Sequence, residues 1–315
     1  MRYLLRRPMP DELWTSMLVR AIRRAGVGVG VATWALTSTR WTPSFYSVCQ
    51  VCSVAELLRM DTIEALGEHT VLPYALAYMD SAARQRALGS VHASGREAAG
   101  VAAVVQSVTD YVPFRRLCPA CARTEHSVLG ESYWHVSHNL PGVVVCLSHL
   151  RPLHVAALPT AGKLPWSAAL PHEVESSRRL CKRATPFDIE LAKSSVALLG
   201  VESLACSARP PPRHREALIA KGLLSADRFA SPQKVAAWLG KAIGESLHGL
   251  MLPDRAKDLS WAHYMLQTTS KPSPTFKHLI LQTAISISKQ SSSASLNHGF
   301  PRMKREGGPA LARKR

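Results

Sequence analysis

Cys118-Pro119-Ala120-Cys121 and, after 24 intervening residues, Cys146-Leu147-Ser148-His149 form a C-x2-C-x24-C-x2-H array. Two residues between ligands let one tight turn aim both side chains at a single ion. Three sulfurs and one imidazole complete the tetrahedral set of a structural Zn2+ site. A catalytic zinc keeps one position open for water, whereas all four positions are filled here, so Cys118, Cys121, Cys146 and His149 are expected to ligate structural Zn2+ with no catalytic residues beside them. The interval is expected to hold a β-hairpin. In that hairpin Tyr133-Trp134-His135-Val136 is one strand, Asn139-Leu140-Pro141-Gly142 the turn, and Val143-Val144-Val145 the strand returning to Cys146.

On the N-terminal side the periodicity is helical. Leu13, Met17, Leu18 and Ala21 fall on one face of a helix over 10–25 that Gly26-Val27-Gly28-Val29-Gly30 ends. That glycine series is not a phosphate loop, because no Gly-Lys-Ser/Thr follows and the G-x-G-x-x-G spacing is absent. Ser53 with Glu56 predicts a capping box for one short helix, and Asp61 with Glu64 a similar device for a second. The pair outlines a helix-turn-helix packed through Leu57, Leu58, Ile63 and Leu66. Its second helix carries Glu64 and Glu68 but no Lys or Arg, which suits helix packing or a partner-protein surface better than DNA contact. Cys49 and Cys52 make a further C-x-x-C, but no second ligand pair follows at a suitable spacing.

Beyond the array, helices are expected from Phe187 to Leu199, from the Ser231-Pro232 cap to His248, from Trp261 to Thr268 and from Phe276 to Ile287. Arg209-Pro210-Pro211-Pro212-Arg213 reads as a stiff linker. The expected fold class is therefore mainly α, with helical N-terminal and C-terminal regions flanking a small zinc-ribbon β-hairpin. The expected organisation is an N-terminal helical region with the helix-turn-helix over 1–110, the ribbon over 111–160, a C-terminal helical region over 161–288 and a disordered basic tail over 289–315.

The 315 residues are 46% hydrophobic, enough for a packed core, and carry a formal net charge of +17. Such an excess attracts polyanions, of which nucleic acid is the commonest in the cell. The cations are bunched at Arg20, Arg23 and Arg24, at Arg178, Arg179, Lys182 and Arg183, and at Lys304, Arg305, Arg313, Lys314 and Arg315. For each bunch a solvated face and a phosphate contact both stay open. Seven cysteines, three of them assigned to metal, suit a reducing compartment. Arg6-Arg7 lacks the apolar stretch of an export signal, and no apolar run is long enough to span a membrane, so a cytoplasmic protein is expected. Asp110, Glu125 and Glu131 are too scattered for a metal-dependent nuclease or transposase.

The motif Arg116-Leu117-Cys118-Pro119-Ala120-Cys121, Gly130, Tyr133-Trp134, His138-Asn139-Leu140-Pro141-Gly142-Val143, Val145-Cys146 and His149 resembles the TniQ/TnsD family of bacterial transposition target selectors. Pro8-Met9-Pro10-Asp11-Glu12-Leu13 with Ser16 and Arg20 resembles the family's opening motif, and Glu68-His69-Thr70-Val71-Leu72-Pro73-Tyr74 its His-Thr-x-x-Pro-Tyr segment. His214 to Leu218, Trp261 and Pro274 to Leu281 resemble the helical part that follows the ribbon. Two positions depart from the pattern. Asn139 stands where the family usually has Gln, and Leu150 follows His149 where Gly is common. The resemblance implies a non-enzymatic adaptor whose partners are DNA and an AAA+ ATPase of the TnsC type. Self-association into a homo-oligomer stays open. Composition alone serves equally well for a zinc-containing DNA-binding regulator, which only the resemblance separates from the adaptor.

Overall fold

The computed structural model describes residues 5–28, 31, 45–46, 48, 51–91, 101, 104–105, 108, 110–160, 169–205, 214–220, 231–248, 259–267 and 274–295. Cys49, Cys206, the Arg209 to Arg213 linker and the terminal basic residues lie outside these. The chain is mainly helical, and a small antiparallel β region divides the helices into two groups.

Helix α1 spans Trp14–Ala25 and buries Trp14, Met17, Leu18, Ala21 and Ile22. Gly26 ends it at φ 63°, donating to the Ile22 and Arg23 carbonyls. Helices α2 (Val51–Leu58) and α3 (Thr62–His69) form the expected pair. Asp61 caps α3 by accepting from the Ile63 and Glu64 amides at 2.8 and 3.0 Å. Two details differ from the sequence reading. Helix α2 starts two residues before Ser53, because Val51, Val54 and Ala55 at helical spacing bury one face and outweigh the cap. Ile63 is exposed, and α3 turns Ala65, Leu66, Gly67 and His69 inward instead. Glu64 and Glu68 stay exposed. Helices α4 (Leu72–Leu76) and α5 (Ser81–Gly89) follow, the latter capped by Asp80.

Strands β1 (Phe114–Leu117), β4 (His154–Pro159) and β5 (Ser176–Arg179) make an antiparallel sheet in the order β1-β4-β5. Strands β2 (Val145–Cys146) and β3 (Arg151–Pro152) make a separate hairpin. Helix α6 (Pro119–Leu129) occupies ground that the sequence reading left without an element, with proline in its first turn and Gly130 in the left-handed conformation after its end. The expected strand over 133–136 is absent. Its backbone is tied to the N-terminal segment instead, through Leu13 N–H to the Trp134 carbonyl at 2.8 Å and Val136 N–H to the Asp11 carbonyl at 2.8 Å. Only His135 makes a bridge, with Glu12. The hairpin thus lies around the second ligand pair rather than between the two pairs.

Helices α7 (Pro186–Val196), α8 (Val201–Ala205), α9 (His214–Ile219), α10 (Pro232–Ile243), α11 (Ser260–Gln267) and α12 (Thr275–Ser295) follow among the described residues. Ser231 caps α10 as expected, accepting from the Lys234 amide. Thr185 and Asp188 form a capping box on α7. Helix α12 runs beyond Ile287 to Ser295. One continuous apolar core reaches from Leu5 to Ile285, so both helical groups pack on the β region.

Candidate metal centre

Helix α6 and the β2–β3 hairpin bring the four predicted ligands together. Cys118 is the N-cap of α6 and Cys121 lies in its first turn. Cys146 ends β2, and His149 lies in the turn before β3. Cys121 Sγ is 3.7 Å from Cys146 Sγ. His149 Nδ1 lies 3.7, 3.3 and 3.5 Å from the sulfurs of Cys118, Cys121 and Cys146. All four ligand atoms fall within 4.8 Å of one another. Tetrahedral Zn–S bonds of about 2.3 Å require sulfurs roughly 3.8 Å apart, and Zn–N bonds of about 2.1 Å bring nitrogen to roughly 3.6 Å from sulfur. The cluster has those dimensions and could hold a metal ion.

The electrostatics of the thiols have the same sense. Hydrogen bonds from Cys121 and then Cys146 hold the Cys118 thiol well below the usual range, with its own helix-terminal amides helping. Cys121 and Cys146 are pushed up, each chiefly by its contact with Cys118 and further by burial. One thiolate forms readily and the next two are opposed, which a divalent cation at the centre would reverse. Cys52 is half-buried in α2 and Cys181 half-buried after β5, both outside the cluster.

A polar frame surrounds the ligands, built largely from residues of the recognised motifs. Asp11 sits at φ 60° and accepts from the Ser137 amide at 2.9 Å and from the Ser137 hydroxyl. His135 is held between Asp11, at 3.1 Å from Nδ1, and Glu125, at 2.6 Å from Nε2. Burial would lower His135, but these two carboxylates raise it to about 9. Glu125 and His135 also lie within 4.8 Å of the Cys121 sulfur. Glu12, fully buried, accepts from the Met9 amide at 2.9 Å and from Arg20, while burial raises its carboxyl against the pull of Arg20. Ser16 Oγ accepts from the Trp134 amide at 2.9 Å.

The second motif docks on the same frame. His69 Nδ1 lies 2.8 Å from the Glu12 carbonyl, and Tyr74 donates to the Pro141 carbonyl at 3.1 Å. Asn139 clamps β1 by accepting from the Arg116 amide at 2.8 Å and donating to the Arg116 and His135 carbonyls. Arg116 is wholly buried and donates to the carbonyls of Leu140, Val143 and Tyr111. Burial pushes it down to about 10, so it stays charged at neutral pH.

The sequence reading missed the roles of Glu125 and His135. Glu125 lies one helical turn beyond Cys121, so recognising α6 from Pro119 and Gly130 would have placed it under the ligands. Arg20, Arg23 and Arg24, read as a solvated or phosphate-contacting bunch, are ion-paired within the chain, Arg20 buried and Arg23 still half-exposed. Arg20 pairs with Glu12 and Glu131, Arg24 with Glu131, and Arg23 with Glu173.

A family model described as TniQ matches residues 4–153. That span takes in α1 to α6, both ligand pairs and the whole polar frame up to β3. No curated protein sequence matches the chain.

Proposed function

Because residues 4–153 belong to the TniQ family, with its general role in transposition target selection, we propose that the chain is a non-enzymatic adaptor joining target DNA or a targeting complex to an AAA+ ATPase of the TnsC type. The observation that carries this reading is where the motif residues go. Asp11, Glu12, Ser16, Arg20, His69 and Tyr74 spend their polar atoms on one another and on the segment between the ligand pairs. They build a scaffold that presents outer surfaces to partners.

In this reading Cys118, Cys121, Cys146 and His149 hold Zn2+, which supplies cross-linking of α6 to the β2–β3 hairpin. The protein fills all four positions, leaving none for a substrate or an activated water. Glu131 is engaged by Arg20 and Arg24, and Glu125 by His135, so these acids serve as ion-pair partners in the frame. The charge of +17 supports nucleic acid as a partner. Among the described residues no helix is long and apolar enough to cross a membrane, and the odd number of cysteines supports placing the adaptor in the cytoplasm.

The test is co-purification with the cognate AAA+ ATPase at low and moderate salt after nuclease treatment. Association in the presence of ATP is expected. No association at either salt, together with tight binding to a single operator by the chain alone, would make it a zinc-containing regulator instead.

A further inference from the structure

Among the described arginines outside the ion pairs that hold Arg20, Arg23 and Arg24, three converge on one place. Arg123 of α6, Arg151 of β3 and Arg179 of β5 line one concavity of ≈ 380 Å³, walled by Cys118, Pro119, Pro152 and His154. All three are exposed, and none takes part in an ion pair among the described residues. Their positions follow from the backbone. Arg151 is the register partner of Cys146, and His154 pairs with Leu117 on one side and Arg179 on the other. Arg123 lies one helical turn beyond Pro119, on the face of α6 that Pro119 begins. A second concavity of ≈ 740 Å³ shares Arg179 as a wall and is lined by Lys182 and Arg183 together with the buried Asp188 and the exposed Glu245, so its cations outnumber its acids by three to two.

Like charges converging on a concavity from three elements repel one another unless an anion lies between them, and low-dielectric walls focus their field. A filled Cys3His site with Zn2+ carries one net negative charge, which three arginines exceed. The guanidinium fork matches phosphate oxygens in two parallel hydrogen bonds. No Phe, Tyr or Trp lines the smaller concavity, and its one imidazole, His154, lies 3.0 Å from Ser176 Oγ, so its lining is matched to phosphate through the three guanidiniums. Contacts of this kind position a duplex or strand without reading its sequence.

We propose that the groove of Arg123, Arg151 and Arg179, extended past Arg179 to Lys182 and Arg183, is a phosphodiester-backbone track. It rests on the adaptor reading only in taking nucleic acid as a partner, and its readout needs no ATPase.

The experiment uses the full zinc-loaded chain and fluorescence anisotropy with a duplex DNA of arbitrary sequence and an RNA hairpin of equal length. The triple variant R123E/R151E/R179E is compared with R59E/R86E/K193E, which changes net charge equally at exposed positions elsewhere. Zinc content and circular dichroism establish that each variant is folded. The expected result is a loss of roughly tenfold or more in the groove variant alone. Its plot of log affinity against log salt should be shallower by roughly 2 to 3, since each duplex phosphate contact contributes about 0.9. Loss confined to the duplex or to the hairpin identifies the source of the phosphates. Equal binding by the groove variant and the wild type, equal loss in both triple variants, or no binding of either nucleic acid by the wild type overturns the proposal. Failure of the adaptor reading shows separately, as lost ATPase co-purification by a chain that still binds nucleic acid.

Discussion

A Cβ added to Gly142 would lie 2.6 Å from Phe276 Cε2, and Gly142 holds φ at 82°. Phe276 lies near the start of α12, almost fully buried, with its ring centroid 5.0 Å from that of Tyr111. The C-terminal helix, outside the TniQ match, is therefore keyed into the loop that carries the Asn139 clamp and leads to Cys146. Gly142→Ala incurs left-handed strain of about 1–2 kcal/mol and overpacking of about 1–3 kcal/mol. Denaturant unfolding should show a loss of about 2–5 kcal/mol. Phe276→Ala alone should cost about 3–5 kcal/mol. The double variant should lose less than the sum, because removing the ring relieves the alanine clash. Strict additivity would refute this contact.

Leu150 offers the opposite test. It follows His149 at φ 49° and is 56% exposed, so a branched side chain occupies a left-handed position while burying little. The turn between β2 and β3 forms with Leu150 in place, and the strain falls on Leu150 itself. Leu150→Gly recovers about 1–2 kcal/mol of strain and gives back about 0.4–1 kcal/mol through the freer unfolded chain. A net gain of about 0.5–1 kcal/mol is expected, read as a higher unfolding midpoint with unchanged zinc content. A lower midpoint would mean that Leu150 packs against something that offsets its backbone.

What could be read from the sequence was what short spacing encodes. The four clustered residues sit on two x2 turns, Asp61 and Ser231 cap the helices they were assigned, and the mainly α class follows from apolar periodicity. What escaped depends on partners far along the chain. Trp134 and Val136 read as a strand because both are apolar and β-prone, yet their backbone partners are Leu13 and Asp11. Arg20 read as a surface cation although one partner, Glu12, is eight residues away, and its second, Glu131, is 111 residues away. Arg179 looks like Arg178 in the sequence, and only the register with His154 sets it over the groove.

The ligand assignment predicts one zinc per chain by elemental analysis. Cys118→Ser, Cys121→Ser, Cys146→Ser and His149→Ala should each lower that content sharply, while Cys52→Ser and Cys181→Ser should keep it. Metal binding to such sites is worth about 10–16 kcal/mol in small zinc domains, on the scale of the whole stability of a typical domain, about 5–15 kcal/mol. Strong chelation should therefore expose the region from α6 to β3 to proteases. Full zinc content in Cys146→Ser would remove Cys146 from the set.

The Glu12–Arg20 pair has both side chains buried, with Arg20 Nη2 and Glu12 Oε1 left without partners. Breaking such a pair by removing one member costs about 3–5 kcal/mol, because the other charge stays buried alone. Glu12→Ala should be milder than Arg20→Met, since Arg20 keeps Glu131 whereas Glu12 would keep only the Met9 amide and Ser16. Replacing both as Glu12→Gln with Arg20→Met should recover part of the loss. Unfolding midpoints of the three variants decide it, and a double variant worse than both singles would show that the charges are needed for more than each other.

The C-terminal helices carry their own acid-sensitive joint. His214 on α9 and His278 on α12 are both buried, with Nε2 of the first 3.1 Å from Nδ1 of the second, and the Tyr78 ring lies 4.9 Å from the His278 ring. Burial pushes both imidazoles down to about 4, with His278 adding to the effect on His214. In the unfolded chain each titrates near its ordinary 6.5, so between about pH 6.5 and 4 the unfolded state binds more protons than the folded state. Stability is then full above about pH 6.5 and lost as pH falls toward 4. The ordinary conversion puts an upper limit of about 3 kcal/mol on each group, and the pair should give less than twice that because the two titrations are linked. Unfolding midpoints measured across that window should fall for the wild type. They should fall less steeply for His214→Gln, whose amide can still bond His278 without taking up a proton. Hydrogen exchange should place the acid-induced opening at α9 and the first half of α12, away from the four-ligand cluster, and a wild-type profile that is flat from pH 7 to 4.5 would count against a neutral buried pair.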